Sequence, residues 1–303
     1  MNLRDLRYVV TVAETKHFGR AAEACFVSQP TLSGQIKKLE EELGVVIFER
    51  TNKRVALTSV GAEIVAGARR VLEQADTLSQ VARAHRDPLS GPMRLGVIPS
   101  LGPYLIPLIV KPLRERCPQM ELVLSEELTV DLTDRLRRHA IDAALLATPL
   151  DEPDGLLEIP LFVEPFWLAH SVDDPIYHAD EVTRSDLADM NILVLSDGHC
   201  LSDQVRALCD THTTSAADFR ATSLETILQL VAAGMGNTLV PALAVRGGWT
   251  TDMGIATREL ELDGASRQVN LVYRASFPRR QAVEAVAELI ASRLPNTVKS
   301  IFS

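Results

Sequence analysis

The chain of 303 residues contains no run of about 18 apolar residues, so nothing in it reads as a membrane span. Its first ten residues, MNLRDLRYVV, carry charges where a secretory leader needs an apolar stretch. The expectation is a cytoplasmic protein, which argues against a secreted binding protein of the transport type. Cysteine is scarce, four in all, too few for a disulfide framework. In a reducing compartment any disulfide is transient or regulatory. Internal repeats and low-complexity tracts are absent. Positive charge is also in short supply, and a net charge of −9 sits badly with a nucleic-acid binder. The distribution changes that reading. Residues 1–90 hold 13 Lys and Arg against 11 Asp and Glu, and the remainder holds 18 against 29. The positive share lies toward the N-terminus, where a DNA-binding end would need it. With 46% hydrophobic residues, the chain can fill the cores of two or three domains.

The first ninety residues read as nearly all helix. Leu3, Leu6, Val9, Val10 and Ala13 recur at helical spacing, and a short second helix runs from about Gly19 to Cys25. Ser28 is an N-cap candidate with Pro30 in the first turn, and Gly44 is a stop for a helix ending near Leu43. Val45 to Leu57 suits a short hairpin with Thr51, Asn52 and Lys53 at its tip. From Thr58 to about His85 a long helix carries Ile64, Ala68, Val71, Ala75, Leu78 and Ala82 in alternating steps of four and three. That is a coiled-coil seam, and no later segment of the first domain could cover it. The run Asp87 to Pro92 is a linker by composition. Beyond it strands alternate with helices, which predicts an α/β domain with mostly parallel sheets. Strands are expected at Met93–Ile98, Glu121–Glu126, Ala143–Ala147, Phe166–Ala169, Ile192–Leu195, Thr238–Pro241 and Gln268–Tyr273. Helices are expected at Pro103–Arg116 and Ser223–Ala233, with Ser223 as a cap.

Two short helices joined by a tight turn, the second capped by Ser28, make a helix-turn-helix candidate. Gln29, Pro30, Thr31, Ser33 and Gln35 would then face the major groove. Gln suits an adenine edge, hydroxyls suit several bases, and Thr or Pro suits a thymine methyl. Lys37, Arg50, Lys53 and Arg54 are placed for phosphates. On spacing alone, a solvated polar helix face explains the same residues equally well. The stretch from Phe18 to Gly61 decides the matter. FGRAAEACFVSQPTLSGQIKKLEEELGVVIFERTNKRVALTSVG resembles the winged helix-turn-helix of LysR-type regulators at about a dozen positions. It departs at Gly34 and at Val46–Ile47, none of them a reading residue. The resemblance implies an N-terminal winged helix-turn-helix, a long dimerisation helix, and an α/β sensor domain. That sensor would have two Rossmann-like subdomains, similar to periplasmic binding proteins. The implied divisions are 1–58 for DNA binding, 59–90 for the linker helix and hinge, and 91–303 for regulation. Subdomain I would take about 91–163 and 268–303, and subdomain II about 164–267.

The segment from Asp197 to Cys209, DGHCLSDQVRALC, is the other informative one. Cys25 and Cys117 read as small buried hydrophobes. Cys200 and Cys209 could be the same. A metal set of His199, Cys200, Cys209 and His212 has a spacing that fits no common zinc pattern, so no metal is expected. A redox role stays open. Ser202 and Asp203 can cap a helix reaching about Cys209, along which nine residues span roughly 13–14 Å. A disulfide needs Cα atoms within about 7 Å, so pairing these two would require the helix to unwind. Cys200, just before that helix, lies where its dipole and N–H groups favour a thiolate, the form that peroxide oxidises.

This segment, with FRATSLETI at 219–227, LVYR at 271–274 and GVIPSLGPYLIP at 96–107, is similar to the peroxide-sensing OxyR subfamily, and the similarity spans the chain. It implies that Cys200 is oxidised first and that Cys209 resolves it. It also implies a peroxide pocket of Ser100, Thr129 and His199, with Arg267 nearby. Ser100 replaces the Thr usual there, keeping the hydroxyl and losing a methyl. No cofactor is implied. The implied partners are double-stranded promoter DNA, hydrogen peroxide, a second copy through the linker helix, a homotetramer, RNA polymerase, and a thiol reductase. A regulator that binds a metabolite between the subdomains, around Ser100 and Thr129, is the competing reading. A thiol peroxidase is the enzymatic one, and it has no use for the DNA-binding half.

Overall fold

The computed structural model describes residues 1–51, 54–84, 87–150, 155–178, 181–209, 221–245 and 253–302. The chain forms two compact units, Met1–Ala82 and Arg83–Ser303.

The first unit begins with α1 (Leu3–Thr15), opened by a capping box in which Asn2 accepts from the Arg4 and Asp5 N–H groups and Asp5 returns the bond. Next come α2 (Phe18–Ala24) and α3 (Gln29–Leu43). Ser28 caps α3 by accepting from the Thr31 N–H, Pro stands in its first turn, and Gly44 ends it at φ 70°. Leu32, Ile36 and Leu39 bury one face of α3 against Tyr8, Val9, Val12, Ile47 and Phe48. Each such burial contributes about 1.5–3 kcal/mol, enough to fix which face of α3 points outward. The wing is a hairpin of β1 (Phe48–Thr51) and β2 (Arg54–Leu57), with Thr51 opposite Arg54. Glu40 holds it to α3 by accepting from the Ile47 and Phe48 N–H groups at 2.8 and 3.1 Å. The long helix α4 (Ser59–Ala84) follows. Gly61 in its first turn lies so close to the Ile47 carbonyl that any side chain would collide with it.

The second unit is built on β3 (Gly91–Val97), β4 (Met120–Glu126), β5 (Ala143–Leu146), β6 (Leu156–Ser171), β7 (Thr238–Pro241), β8 (Ile255–Glu259), β9 (Ser266–Arg274) and β10 (Lys299–Ser300). Its helices are α5 (Gly102–Arg116), α6 (Thr129–Arg137), α7 (Arg184–Asp189), α8 (Cys200–Cys209), α9 (Leu224–Ala232) and α10 (Arg280–Arg293). The strand order is β10-β6-β9-β5-β3-β4, with β7 and β8 on the far half of β6. Only the pairs of β3 with β4 and with β5 are parallel; the other named pairs are antiparallel. The expectation of mostly parallel sheets fails for a topological reason. β6 and β9 run between two lobes in opposite directions, and strands that go out and back beside each other must pair antiparallel. Ile192–Leu195 makes only isolated bridges, to Asn237 and Ala221.

Two separate apolar cores result. One gathers Met93, Leu95, Leu105, Leu145, Phe162, Leu271 and Val286 with their neighbours. The other gathers Phe166, Leu168, Leu195, Leu201, Leu208, Ile227 and Leu239 with theirs. β6 changes core between Phe162 and Phe166, and β9 starts beside that point, with Ser266 opposite Pro165. Among the described residues no helix is long and apolar enough to cross a membrane.

Candidate functional site

In the first unit the outward face of α3 presents Gln29, Pro30, Thr31, Gln35 and Lys37 to solvent, and Ser33 is half-buried. The Thr31 hydroxyl is not independent. It lies 2.8 Å from Ser28 Oγ, so reading a base would mean sharing or breaking that bond. Among the described residues Lys37 has one loose ion-pair contact, with Glu41 at 3.7 Å, which leaves its ammonium available for a phosphate. Lys53 and the side chains of Arg50 and Arg54 lie outside the described residues. The backbones of Arg50 and Arg54 are in the two paired wing strands.

In the second unit the two cysteines mark the two ends of α8. The helix begins at Cys200, three residues ahead of the start that a Ser202 cap would set. Ser202 does not cap it; its buried hydroxyl donates to the Leu195 carbonyl at 2.8 Å. Cys200 is therefore the first helical residue and lies at the end where backbone N–H groups have no helical partner. Its thiol is half-buried and packs against the first core, whereas Cys209 is inside the second. Both are free thiols. Nine residues of intact helix put their Cα atoms roughly 13–14 Å apart, twice the reach of a disulfide. Burial pushes the Cys209 thiol up to about 11, with Arg184 pulling weakly the other way. The resolving candidate is thus a protonated thiol sealed in apolar surroundings. Of the other two cysteines, Cys117 is buried and Cys25 half-buried.

His199 is buried, and that burial lowers its pKa, so near neutrality the imidazole is uncharged. Beside Cys200 it offers a hydrogen bond and not a positive charge. Gly198 ahead of it has φ 94°, which favours glycine, and an added Cβ would lie 3.2 Å from Leu128. Leu128 immediately precedes α6, so the Gly198–His199 turn is packed against the start of the helix that carries Thr129. The Thr129 hydroxyl is buried and has no hydrogen-bond partner among the described residues.

Arg267 lies opposite Glu164 in the β6–β9 ladder, where the two crossing strands meet. Both side chains are buried, with the guanidinium and carboxylate 2.8 Å apart. Glu164 also accepts from the Leu243 N–H at 2.8 Å. The free edge of the Arg267 fork donates to Ser100 Oγ at 2.8 Å and to the Ser100 carbonyl at 3.0 Å. Ser100 is thereby fixed, with only its own O–H left to donate. Arg267 is tied to Ser100, and His199 and Thr129 belong to two elements in contact.

One residue escaped the sequence reading. Gln204 is four residues after Cys200 in α8 and so shares its face. Its amide N–H donates to the Ala147 carbonyl at 2.7 Å, while its Oε1 is buried with no partner among the described residues. Thr148 Oγ1, next to Ala147, is in the same condition. The i,i+4 spacing from Cys200 is the signal that could have found Gln204. Buried polar atoms without partners are uncommon in native proteins and call for an occupant that can bond them. Among the described residues no group of His, Cys, Asp and Glu is arranged to hold a metal.

The chain is similar to known proteins along nearly its whole length. Residues 3–62 match the bacterial regulatory helix-turn-helix protein family, lysR type, and residues 86–295 match the LysR substrate binding domain. The chain is 43% identical to the DNA-binding transcriptional dual regulator OxyR of Escherichia coli K12, covering 97% of this chain and 96% of that one. It resembles the structure of a full-length OxyR variant from Pseudomonas aeruginosa with a TM-score of 0.78 and 42% identity, over 99% and 97% of the two chains. It also resembles a hydrogen-peroxide-bound mutant of Corynebacterium glutamicum OxyR, with a TM-score of 0.65 and 37% identity over 96% and 92%.

Proposed function

The chain belongs to the OxyR branch of the LysR family, and from that premise we propose that it senses hydrogen peroxide through Cys200 and Cys209 and controls oxidative-stress genes as a DNA-binding regulator. The observation that carries this reading is the placement of two free thiols at opposite ends of one helix, in two different cores. The Cys200 thiolate attacks one peroxide oxygen, the O–O bond breaks, and the sulfenic acid and hydroxide form. The Cys209 sulfur then attacks the Cys200 sulfur and displaces the hydroxyl as water. In sum, two thiols and one peroxide give one disulfide and two waters. The second step needs α8 to come apart, so oxidation is a conformational switch. A thiol reductase returns the pair to the reduced state.

Thr129, His199 and Gln204 supply the peroxide contacts, and Ser100 adds one donor that Arg267 holds in place. Oxidation is stoichiometric signalling and not turnover, so the protein is not an enzyme. Ser28, Gln29, Pro30, Thr31, Ser33 and Gln35 read the major groove, and Lys37, Arg50, Lys53 and Arg54 meet phosphates. Residues 1–58, 59–90 and 91–303 divide DNA reading, dimerisation and sensing between them, with subdomains of about 91–163 plus 268–303 and 164–267. The protein works in the cytoplasm as a homotetramer of paired dimers and contacts RNA polymerase. Footprinting on promoter DNA tests the whole reading. Reduced and peroxide-treated protein should protect different stretches, and Cys200→Ser should give the reduced pattern under both conditions. Identical footprints for reduced and oxidised wild-type protein would contradict it.

A further inference from the structure

Phe26 is the most exposed large apolar side chain among the described residues, at 95%. It also has φ 55°, a left-handed conformation that favours glycine or asparagine and is an outlier for a bulky residue. The turn itself explains the backbone. The Phe26 N–H donates to the Glu23 carbonyl and the Val27 N–H to the Ala22 carbonyl, closing the end of α2 and aiming the chain into α3. Val27 then packs on the core. Nothing in the fold explains the ring. Glycine or asparagine would make the same turn with less strain and without exposing an aromatic surface to water.

A side chain unfavourable to the folded unit on two counts suits a contact outside it. Its address says which. Phe26 is two residues ahead of Ser28, the cap of α3, and Gln29, Pro30 and Thr31 follow at once on the exposed face. Whatever surface meets those residues also meets the ring. We propose that Phe26 is a DNA contact whose ring packs on the deoxyribose of the strand at the edge of the major groove. The proposal rests on reading α2 and α3 as the DNA-reading pair. A residue outside the helix stands back from the base edges that the helix N-terminus reaches. Of the surfaces at the groove's edge, the C–H face of the sugar is the apolar one, which an uncharged ring covers better than an asparagine does.

The test uses the full-length reduced protein and the variants Phe26→Asn, Phe26→Leu and Gln29→Ala, on the specific site and on a scrambled duplex. Phe26→Asn should melt at or above the wild-type temperature yet bind both duplexes about tenfold more weakly. The slope of log affinity against log salt should not change, because an apolar contact releases no counterion. Phe26→Leu, which keeps apolar bulk, should recover most of the affinity. Wild-type affinity in Phe26→Asn would overturn the proposal, and so would a lower melting temperature, which would mean that the ring supports the turn. A loss confined to sites with one thymine, and reproduced by deoxyuridine there, would move the contact to a base methyl and overturn the sugar assignment. Gln29→Ala separates the two readings. If it loses specific binding while Phe26→Asn loses nothing, only this proposal fails. If neither variant loses binding, the DNA-reading assignment of α3 fails with it.

Discussion

Arg267 and Glu164 are buried together where two strands cross between the lobes, and among the described residues each is the other's ion-pair partner. Truncating one partner strands the other, so Arg267→Ala should cost about 3–5 kcal/mol of stability, read by urea unfolding. Replacing both with apolar residues of similar volume should restore much of it. A double variant as unstable as the single one would show that the pair's role lies outside charge balance. Cys209 gives a pH signature. Its pKa is raised in the folded state, to about 11, so its contribution is full below the ordinary thiol value near 9 and is lost as pH rises toward 11. In reducing buffer the wild type should lose about 2–3 kcal/mol over that range beyond whatever Cys209→Ser loses. Parallel curves for the two proteins would place Cys209 in a wetter environment. None of these residue-level facts was legible along the chain. Glu164 and Arg267 are 103 positions apart, and only the register of β6 against β9 makes them a pair.

Element by element, local chemistry was read well where it acts locally. Ser28, Gly44 and Ser223 end or begin helices because their side chains or backbones do so within three residues. β6 is the counter-example. Its sixteen residues include Pro160 and Pro165, which broke the strand pattern so that only Phe166–Ala169 was expected. The structure puts Pro160 at a register shift and Pro165 where the strand leaves one core for the other. The start of α8 was also misplaced, because Ser202 bonds to Leu195 across the lobe and not to its own helix. The proposed switch makes α8 the rate-governing element of the second chemical step. Ala207 is exposed in its last turn, so Ala207→Gly weakens the helix by about 1 kcal/mol without touching either thiol. Disulfide closure should accelerate up to about fivefold, with sulfenic acid formation unchanged. An unchanged closure rate in stopped-flow thiol assays would mean that the helix does not have to open.

At the scale of the whole molecule, the upper half of α4 leaves Val71, Leu78 and Val81 exposed, at 47, 72 and 38%. Ala68 is buried, and an apolar groove of about 520 Å³ opens beside it, lined by Leu6, Leu43, Ile64 and Val71. A second copy of α4 is the occupant that the alternating spacing implies. Val71→Asp with Leu78→Asp should break that pairing, lowering the assembly's mass by sedimentation and weakening binding to paired half-sites; a variant that keeps the wild-type mass would put the interface elsewhere. The switch is the claim on which the function stands, and one measurement reaches it directly. Reduced full-length protein is given a brief pulse of low-micromolar peroxide, quenched, and mapped by mass spectrometry. Cys200 should be modified first, as sulfenic acid in Cys209→Ser and as a Cys200–Cys209 disulfide in the wild type, with Cys25 and Cys117 still reduced. Cys200 left as a free thiol while Cys25 or Cys117 is oxidised would contradict it.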